Sequence, residues 1–372
     1  MTHAIKNLPQ FRGASATLPA WHDIAGLTLT QYAQRQGIKP GAARSDYRRL
    51  MRGQLESPGI SRMEQSDESI KFCIPVASAP QYETESVLIP MRSFHGGRWF
   101  TLCVSSQVGC RMGCTFCQTA RMGLVKSLWP AEIVGQLLTA RKVLQGTDAE
   151  SNAAHVGVRN IVFMGMGEPL DNLDSILAAI ATMTDPAGLA MPMGRITIST
   201  VGRIDGIRKL SAARLEGVKL AVSLNAPNDD LRSAIMPVNR AMPLAALHEA
   251  LVEYSAGGRR KIFLEYVLLA GVNDSHEHAA ELVHWCRALN VVVNVIPYNP
   301  QQPAAYQPPD EATVVRFVAA IKSLGILAKR RITHGRDLMA ACGQLGNPAV
   351  SRKRGQEVLG QSPLLEGGRV AE

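Results

Sequence analysis

Trp99-Phe-Thr-Leu-Cys-Val-Ser-Ser-Gln-Val-Gly-Cys-Arg-Met-Gly-Cys-Thr-Phe-Cys117 decides how the rest of the chain is read. Its opening, Trp99–Val104, is aromatic and apolar and reads as a buried strand. Three thiols follow at Cys110, Cys114 and Cys117, with three and then two residues between them. Gly109 and Gly113 leave the backbone free to wrap around whatever those thiols hold. A strand that runs straight into a ligand-bearing loop is the βα junction of a parallel α/β architecture, where chemistry collects at the C-terminal strand ends.

The pattern continues outward from that junction. Strand-like runs at Asn160–Phe163, Arg195–Ser199, Lys219–Val222, Lys261–Leu268 and Val291–Ile296 alternate with helical ones. The helical runs are Pro130–Val143, Leu173–Met183, Asp205–Ala213, Leu244–Ser255, Ser275–Leu289 and Glu311–Leu324, with Pro130 placed as a first-turn proline. Near-continuous apolar strands separated by helices predict a parallel sheet covered on both sides. Six units predict an open, partial (β/α)6 barrel rather than a closed ring of eight. Polar or glycine-bearing motifs follow the strands at one rim: Gly165-Met-Gly-Glu-Pro169, Ser199-Thr-Val-Gly202, Ser223-Leu-Asn225 and Tyr298-Asn-Pro300. Ser199, Asn225 and Asn299 are suited to hydrogen-bond a ribose or a carboxylate. Gly167 admits close backbone approach, and Glu168 accepts from an ammonium or a ribose hydroxyl.

The 372 residues carry 40 Lys+Arg against 31 Asp+Glu, a formal net charge of +9. At 46% hydrophobic and 19% charged residues, the composition excludes global disorder and supplies a large core. No run reaches membrane-span length, and the first residues lack a signal-peptide apolar stretch, so a cytoplasmic protein is expected. Seven cysteines, three of them within eight residues, fit a reducing compartment better than a disulfide framework. Residues 1–56 hold eight Lys/Arg (Lys6, Arg12, Arg35, Lys39, Arg44, Arg48, Arg49, Arg52) and three acids, over half of the net charge. With helical patterning at Leu27–Gln36 and Ala42–Met51, residues 1–69 read as a small basic helical accessory module, closed by a polar link over Ser57–Ser69. Clustered cations suit a phosphate backbone. Residues 70–346 form the barrel with an N-terminal strand extension, and 347–372 a polar tail.

Three thiolates at this spacing hold three corners of a cube-shaped iron–sulfur cluster and leave the fourth iron open to a ligand. A structural zinc site needs four closed ligands, and no second cysteine pair is present, because Cys73, Cys103, Cys286 and Cys342 are isolated. The spacing resembles the radical-SAM signature, which implies a [4Fe-4S] cluster on Cys110, Cys114 and Cys117 and S-adenosyl-L-methionine on its open iron. Gly167, Glu168, Ser199, Ser223, Leu224, Asn225 and Asn299 are the expected cofactor-binding residues.

Over about residues 83–346 the chain further resembles the RlmN/Cfr family of RNA adenosine methyltransferases. The resemblance rests on Thr101-Leu-Cys-Val-Ser-Ser-Gln-Val-Gly-Cys110, Phe163-Met-Gly-Met-Gly-Glu-Pro169, Ile198-Ser-Thr-Val-Gly202, Ala221-Val-Ser-Leu-Asn-Ala-Pro-Asn-Asp229 and Ala340-Ala-Cys-Gly-Gln-Leu345. It implies methylation of a ring carbon of adenosine, carbon 2 in preference to carbon 8, in ribosomal or transfer RNA. In that chemistry Cys342 carries the methyl group as S-methylcysteine and Cys103 later forms a disulfide with it to release product. Glu85 of Glu85-Ser-Val-Leu-Ile-Pro90 matches the family's base, with Glu83 on the same strand face as its rival. A reductant protein such as flavodoxin is the implied electron source. Two rival readings keep the residues but change the role: the same cluster acting on a peptide or small molecule, or a metal-stabilised, non-catalytic RNA-binding protein. Cys286, with Ala279, Leu282 and Val283 on one helix face, reads as core, as does Cys73.

Overall fold

The computed structural model describes residues 20–66, 68–148, 157–213, 215–255, 260–301, 303–332, 335–347 and 350. Lys6 and Arg12 of the basic stretch and nearly all of the tail after Gly346 lie outside them. The described strands are β1 (Arg62–Ser66), β2 (Ser69–Val76), β3 (Ala79–Arg92), β4 (Arg98–Cys103), β5 (Gln107–Cys110) and β6 (Gly123–Ser127). After these come β7 (Val158–Phe163), β8 (Ile196–Thr200), β9 (Lys219–Ser223), β10 (Ile262–Leu268), β11 (Val291–Pro297) and β12 (Ala328–Arg330). Ten of them form one sheet in the order β1-β2-β3-β4-β7-β8-β9-β10-β11-β12, and β5 pairs with β6 alone.

From β4 onward every neighbour in the large sheet is parallel. The crossovers are the helices Pro130–Asp148, Leu173–Thr184, Ile204–Ala212, Leu244–Tyr254, His276–Trp285 and Glu311–Ser323. Strands β10 and β11, rich in Val and Ile, bury five and six of their seven residues, as a sheet covered on both faces requires. The partial (β/α)6 barrel is therefore present, with one short seventh strand added at its edge. β12 is three residues long and buries only Ala328, too short and too basic to register as apolar periodicity.

One expectation changes. The stretch Ser57–Ser69 is not only a link: β1 pairs with β2 from Arg62↔Cys73 to Ser66↔Ser69, so the antiparallel extension starts inside it. Its residues are Arg, Met, Glu, Gln and Ser, mostly exposed, so this edge strand lacks an apolar face to read. The N-terminal helices are present and pack on the barrel. Tyr47 donates to Leu27 O at 2.7 Å, and Leu29 N–H donates to Asp185 at 2.7 Å. Trp21, Tyr32, Tyr47 and Met51 share the hydrophobic cluster of the barrel helices. Among the described residues no helix is long and apolar enough to cross a membrane.

Candidate active site

The cysteine loop does not leave β4 directly: it runs from the end of β5 and is closed by β6, which pairs back on β5 at Gln107↔Ser127 and Cys110↔Gly123. Glycine is required at 109: φ is +72°, and a Cβ there would lie 1.8 Å from Gly123 O. Gly113, at φ +75°, turns the loop over Pro237. Thr115 N–H donates to Ile235 O at 3.0 Å, which fixes the loop to the end of helix Asp229–Ile235. Its far end is stitched to the C-terminal segment: Gln118 N–H donates to Gly343 O at 2.8 Å and Thr119 Oγ1 to Leu345 O at 2.6 Å. Those bonds bring Cys342 to the loop that carries Cys117.

Cys110 and Cys114 are buried and Cys117 half-buried. Burial pushes the Cys110 thiol up to about 12, and burial with the neighbouring thiols lifts Cys114 well above the ordinary range. Among the described residues no three His, Cys, Asp or Glu side chains gather around a single ion. Three soft sulfur donors spread along one loop match a multi-iron cluster, whose ligands sit on separate metal atoms.

Cys114 and Cys117 open onto a pocket at the C-terminal strand ends that Gly167, Glu168, Ser199, Ser223, Asn225 and Cys342 also line. Five of the seven expected cofactor residues thus share one cavity. Leu224 stands behind its wall, donating to Glu265 O at 3.0 Å, and Asn299 turns to Cys342 O at 3.3 Å. The Oδ1 of Asn299 is buried and without a hydrogen-bond partner among the described residues, as is the hydroxyl of the preceding Tyr298. Orphaned polar atoms of this kind at a pocket fit a polar ligand. Asn225 holds its own loop: its Oδ1 accepts from Val267 N–H at 2.8 Å, and its Nδ2 meets only the Met236 sulfur, at 3.2 Å. Gly167, at φ +101°, closely abuts Ser106 and Gln107, where a Cβ would come within 2.7 Å of both side chains. Glu168 is buried, accepts from Leu170 N–H at 3.0 Å and Val201 N–H at 2.9 Å, and burial lifts its pKa to about 7.

The three residues expected to do chemistry are placed unequally. Cys342 lines the pocket; Cys103, at the end of β4, lies close enough for Cys342 to raise its thiol further. Both are free thiols. Burial raises both, and the Arg331 guanidinium draws both back. Glu85 does not line the pocket. It is buried opposite Cys73 in the β2–β3 register, ion-paired to Lys71 at 2.9 Å, and its Oε2 accepts from Gly346 N–H at 3.3 Å. Glu83 is more exposed on the same strand.

Sequence reasoning missed Glu265 and Arg331. Glu265 lines the pocket from the middle of β10, in register with Ser223 on β9 and Asn294 on β11, and pairs with Arg331 at 3.4 Å. Its signal was there to read, a lone acid inside the apolar run Ile262–Leu268. Arg331 had none, because it follows the unread β12.

The fold and this site define a radical-SAM enzyme, and the sequence model of the Radical SAM superfamily matches residues 104–283. A crystal structure of a radical SAM methyltransferase from Sphaerobacter thermophilus superposes with a TM-score of 0.77 at 34% identity, covering 86% of this chain and 98% of that one. A probable dual-specificity RNA methyltransferase RlmN 1 of Protochlamydia amoebophila is 44% identical over 272 residues, 73% of this chain and 72% of its own. The dual-specificity RNA methyltransferase RlmN of Nitratidesulfovibrio vulgaris is 42% identical over 293 residues, 79% of this chain and 78% of its own. This chain belongs to the RlmN family of dual-specificity RNA methyltransferases.

Proposed function

We propose that this protein methylates a ring carbon of adenosine, carbon 2 in preference to carbon 8, in ribosomal or transfer RNA. The single observation that carries the reading is that Cys342 lines the same pocket as Cys114, Cys117 and Glu168. Ring carbons of adenine offer no lone pair to an electrophilic methyl donor, so a sulfur carrier within reach of both cofactor and base answers the chemical need. Bound here, a [4Fe-4S] cluster and S-adenosyl-L-methionine supply a transferable methyl group and a hydrogen-abstracting radical.

Cys110, Cys114 and Cys117 hold the metal. Glu168, Ser199, Ser223 and the Nδ2 end of Asn225, which line the pocket, would hold the methionine and ribose portions of the cofactor, and Asn299 would support them from outside the lining through its bond to Cys342 O. Cys342 takes the methyl group on sulfur and presents it to the adenine ring. Arg331 favours the thiolate needed for that first transfer. Cys103 then closes a disulfide with Cys342, which frees the methylated base. Glu85, held by Lys71 and by Gly346 N–H, serves as the base for the ring proton.

RNA reaches the pocket as an unpaired or flipped nucleotide. The basic helices before residue 69 grip its backbone: Lys39, Arg44, Arg48 and Arg52 are exposed, and none of them pairs with a carboxylate among the described residues. The reductant is a flavodoxin-like protein, and the compartment is the cytoplasm. Anaerobic incubation of the reconstituted protein with RNA, S-adenosyl-L-methionine and a reductant, followed by mass spectrometry of the nucleosides, tests the proposal. A methyladenosine whose methyl group sits on the ring carbon is the expected product; unmodified RNA beside rapid cofactor cleavage would move the substrate to another class.

A further inference from the structure

Of the buried acids near the pocket, Glu168 is held by the N–H groups of Leu170 and Val201, and three others are matched by cations. Glu265 faces Arg331 at 3.4 Å, Asp171 takes Arg111 at 2.6 Å and Arg203 at 3.0 Å, and Glu85 takes Lys71 at 2.9 Å. Arg232 has no carboxylate within ion-pair distance among the described residues. It heads the fully buried side chains by size and is sealed from solvent. Its Nε donates to Leu224 O at 3.0 Å, its Nη1 to Asn239 Oδ1 at 2.8 Å, and its Nη2 to Val201 O at 2.6 Å and Ser223 O at 3.3 Å. None of these acceptors is charged. Asp229, the acid that helps hold its charge, spends its Oδ1 on Asn239 Nδ2 and Leu244 N–H, both at 2.8 Å.

A buried guanidinium with no carboxylate paired directly to it is unfavourable, and carbonyl dipoles with a more distant acid only lessen the cost. As a mere staple between the ends of β8 and β9, the position needs hydrogen bonds and no net charge. The location argues for more. Val201 and Ser223, whose carbonyls Arg232 holds, line the pocket. Helix Asp229–Ile235, which carries Arg232, ends against the cysteine loop, where Ile235 O accepts from Thr115 N–H at 3.0 Å. The guanidinium and the Cys114 sulfur feel each other's charge. Burial draws Arg232 down only to about 10, so it is cationic at neutral pH.

We propose that Arg232 is the buried counter-charge of the metal cluster on Cys110, Cys114 and Cys117, and that its field raises the cluster's reduction potential. Three thiolates outweigh the two positive charges of an oxidised four-iron core, so the loaded site is anionic, and the electron delivered by the reductant adds a further negative charge. A fixed cation behind a water-excluded wall favours the more negative state. Arg232 touches no reacting atom and is a positioning residue; the inference rests on the cluster reading above.

The test is a potentiometric titration of the reconstituted cluster, followed by its paramagnetic resonance signal, in wild type, Arg232→Met and Arg232→Lys. Met keeps the volume and removes the charge; its potential is expected to fall by at least 59 mV, the one-electron equivalent of a tenfold shift. Lys keeps a charge that can be titrated, since a buried ammonium without a carboxylate loses its proton readily. Relative to wild type at the same pH, the Lys variant is expected to match near about pH 6.5 and to fall by at least 59 mV near about pH 9. A folded Met variant with full iron and unchanged potential overturns the proposal. If the Met variant does not fold, a Lys variant that tracks wild type at both pH values overturns it instead. A wild-type protein that takes up no iron–sulfur cluster would overturn the functional reading itself, a result separable from either.

Discussion

Replacing Lys71 by Met should loosen the segment that carries Cys342 and leave Glu85 buried beside one distant cation. Lys71 and Glu85 are only 6% and 3% exposed, and their atoms approach to 2.9 Å. Lys71 Nζ also donates to Leu338 O at 3.4 Å and Met339 O at 3.2 Å, so one ammonium serves a carboxylate and two carbonyls of the C-terminal segment. Arg62, half exposed and 3.7 Å from Glu85, is the only other cation paired with it among the described residues. Breaking a buried pair from one side costs about 3–5 kcal/mol. Glu85→Gln strands the ammonium instead and should cost about 2–3 kcal/mol, the worth of a charged hydrogen bond. The double variant leaves no buried charge, so its loss should be smaller than the two added together by about 2–3 kcal/mol, the upper range for touching residues. Urea unfolding of the metal-free protein measures all four corners of this cycle. Additive losses, or a Lys71→Met variant within about 1 kcal/mol of wild type, would refute the idea that this pair seats the segment.

Three further outcomes follow from the site. Gly109→Ala drives a Cβ into Gly123 O and strains a φ of +72°, so the variant should lose most of its iron on reconstitution. Gly123→Ala, at φ +64° with open space around it, should keep its iron in the same analysis. Glu168 is raised from 4.5 to about 7 by burial, so its protonated form favours folding. Its contribution is fully present below about pH 4.5 and lost as pH rises through 7, about 3 kcal/mol in all. Urea unfolding of the metal-free chain across this range should show that slope, and Glu168→Gln should flatten it. Cys342→Ala should abolish RNA methylation while cofactor cleavage continues, whereas Cys103→Ala should accumulate a covalent protein–RNA species on denaturing gels. Normal turnover by the first variant would rule out a sulfur carrier, and absence of the adduct in the second would remove Cys103 from product release.

Much of this was legible from residue spacing, because barrel strands such as Val291–Pro297 are apolar throughout and helices such as Pro130–Asp148 begin at recognisable caps. The rim residues followed from their place after strands, and five of seven entered one pocket. Leu224 and Asn299 did not, because a motif gives a position along the chain and not the direction in which a side chain leaves it. β1 and β12 were invisible, since edge strands with exposed polar side chains carry no periodic apolar signal. The pairing of Lys71 with Glu85 was unreadable for a different cause. Charged partners on adjacent strands are set by register, and nothing in Ser69–Val76 taken alone announces which acid it will face.

The C-terminal segment has a consequence for access. β12 is the last strand of the sheet, so among the described residues no ladder joins it back to β4. Residues 342–345 bridge the end of the cysteine loop and the loop after β11, tied on one side to Gln118 and Thr119 and on the other by Asn299 and by Gln344 to Pro300 O at 2.8 Å. The wall is thus laced with a few side-chain and loop bonds where a closed barrel would be welded by strand pairing. A nucleotide still attached to a bulky polymer could be let in sideways through such a seam, with every β ladder left intact.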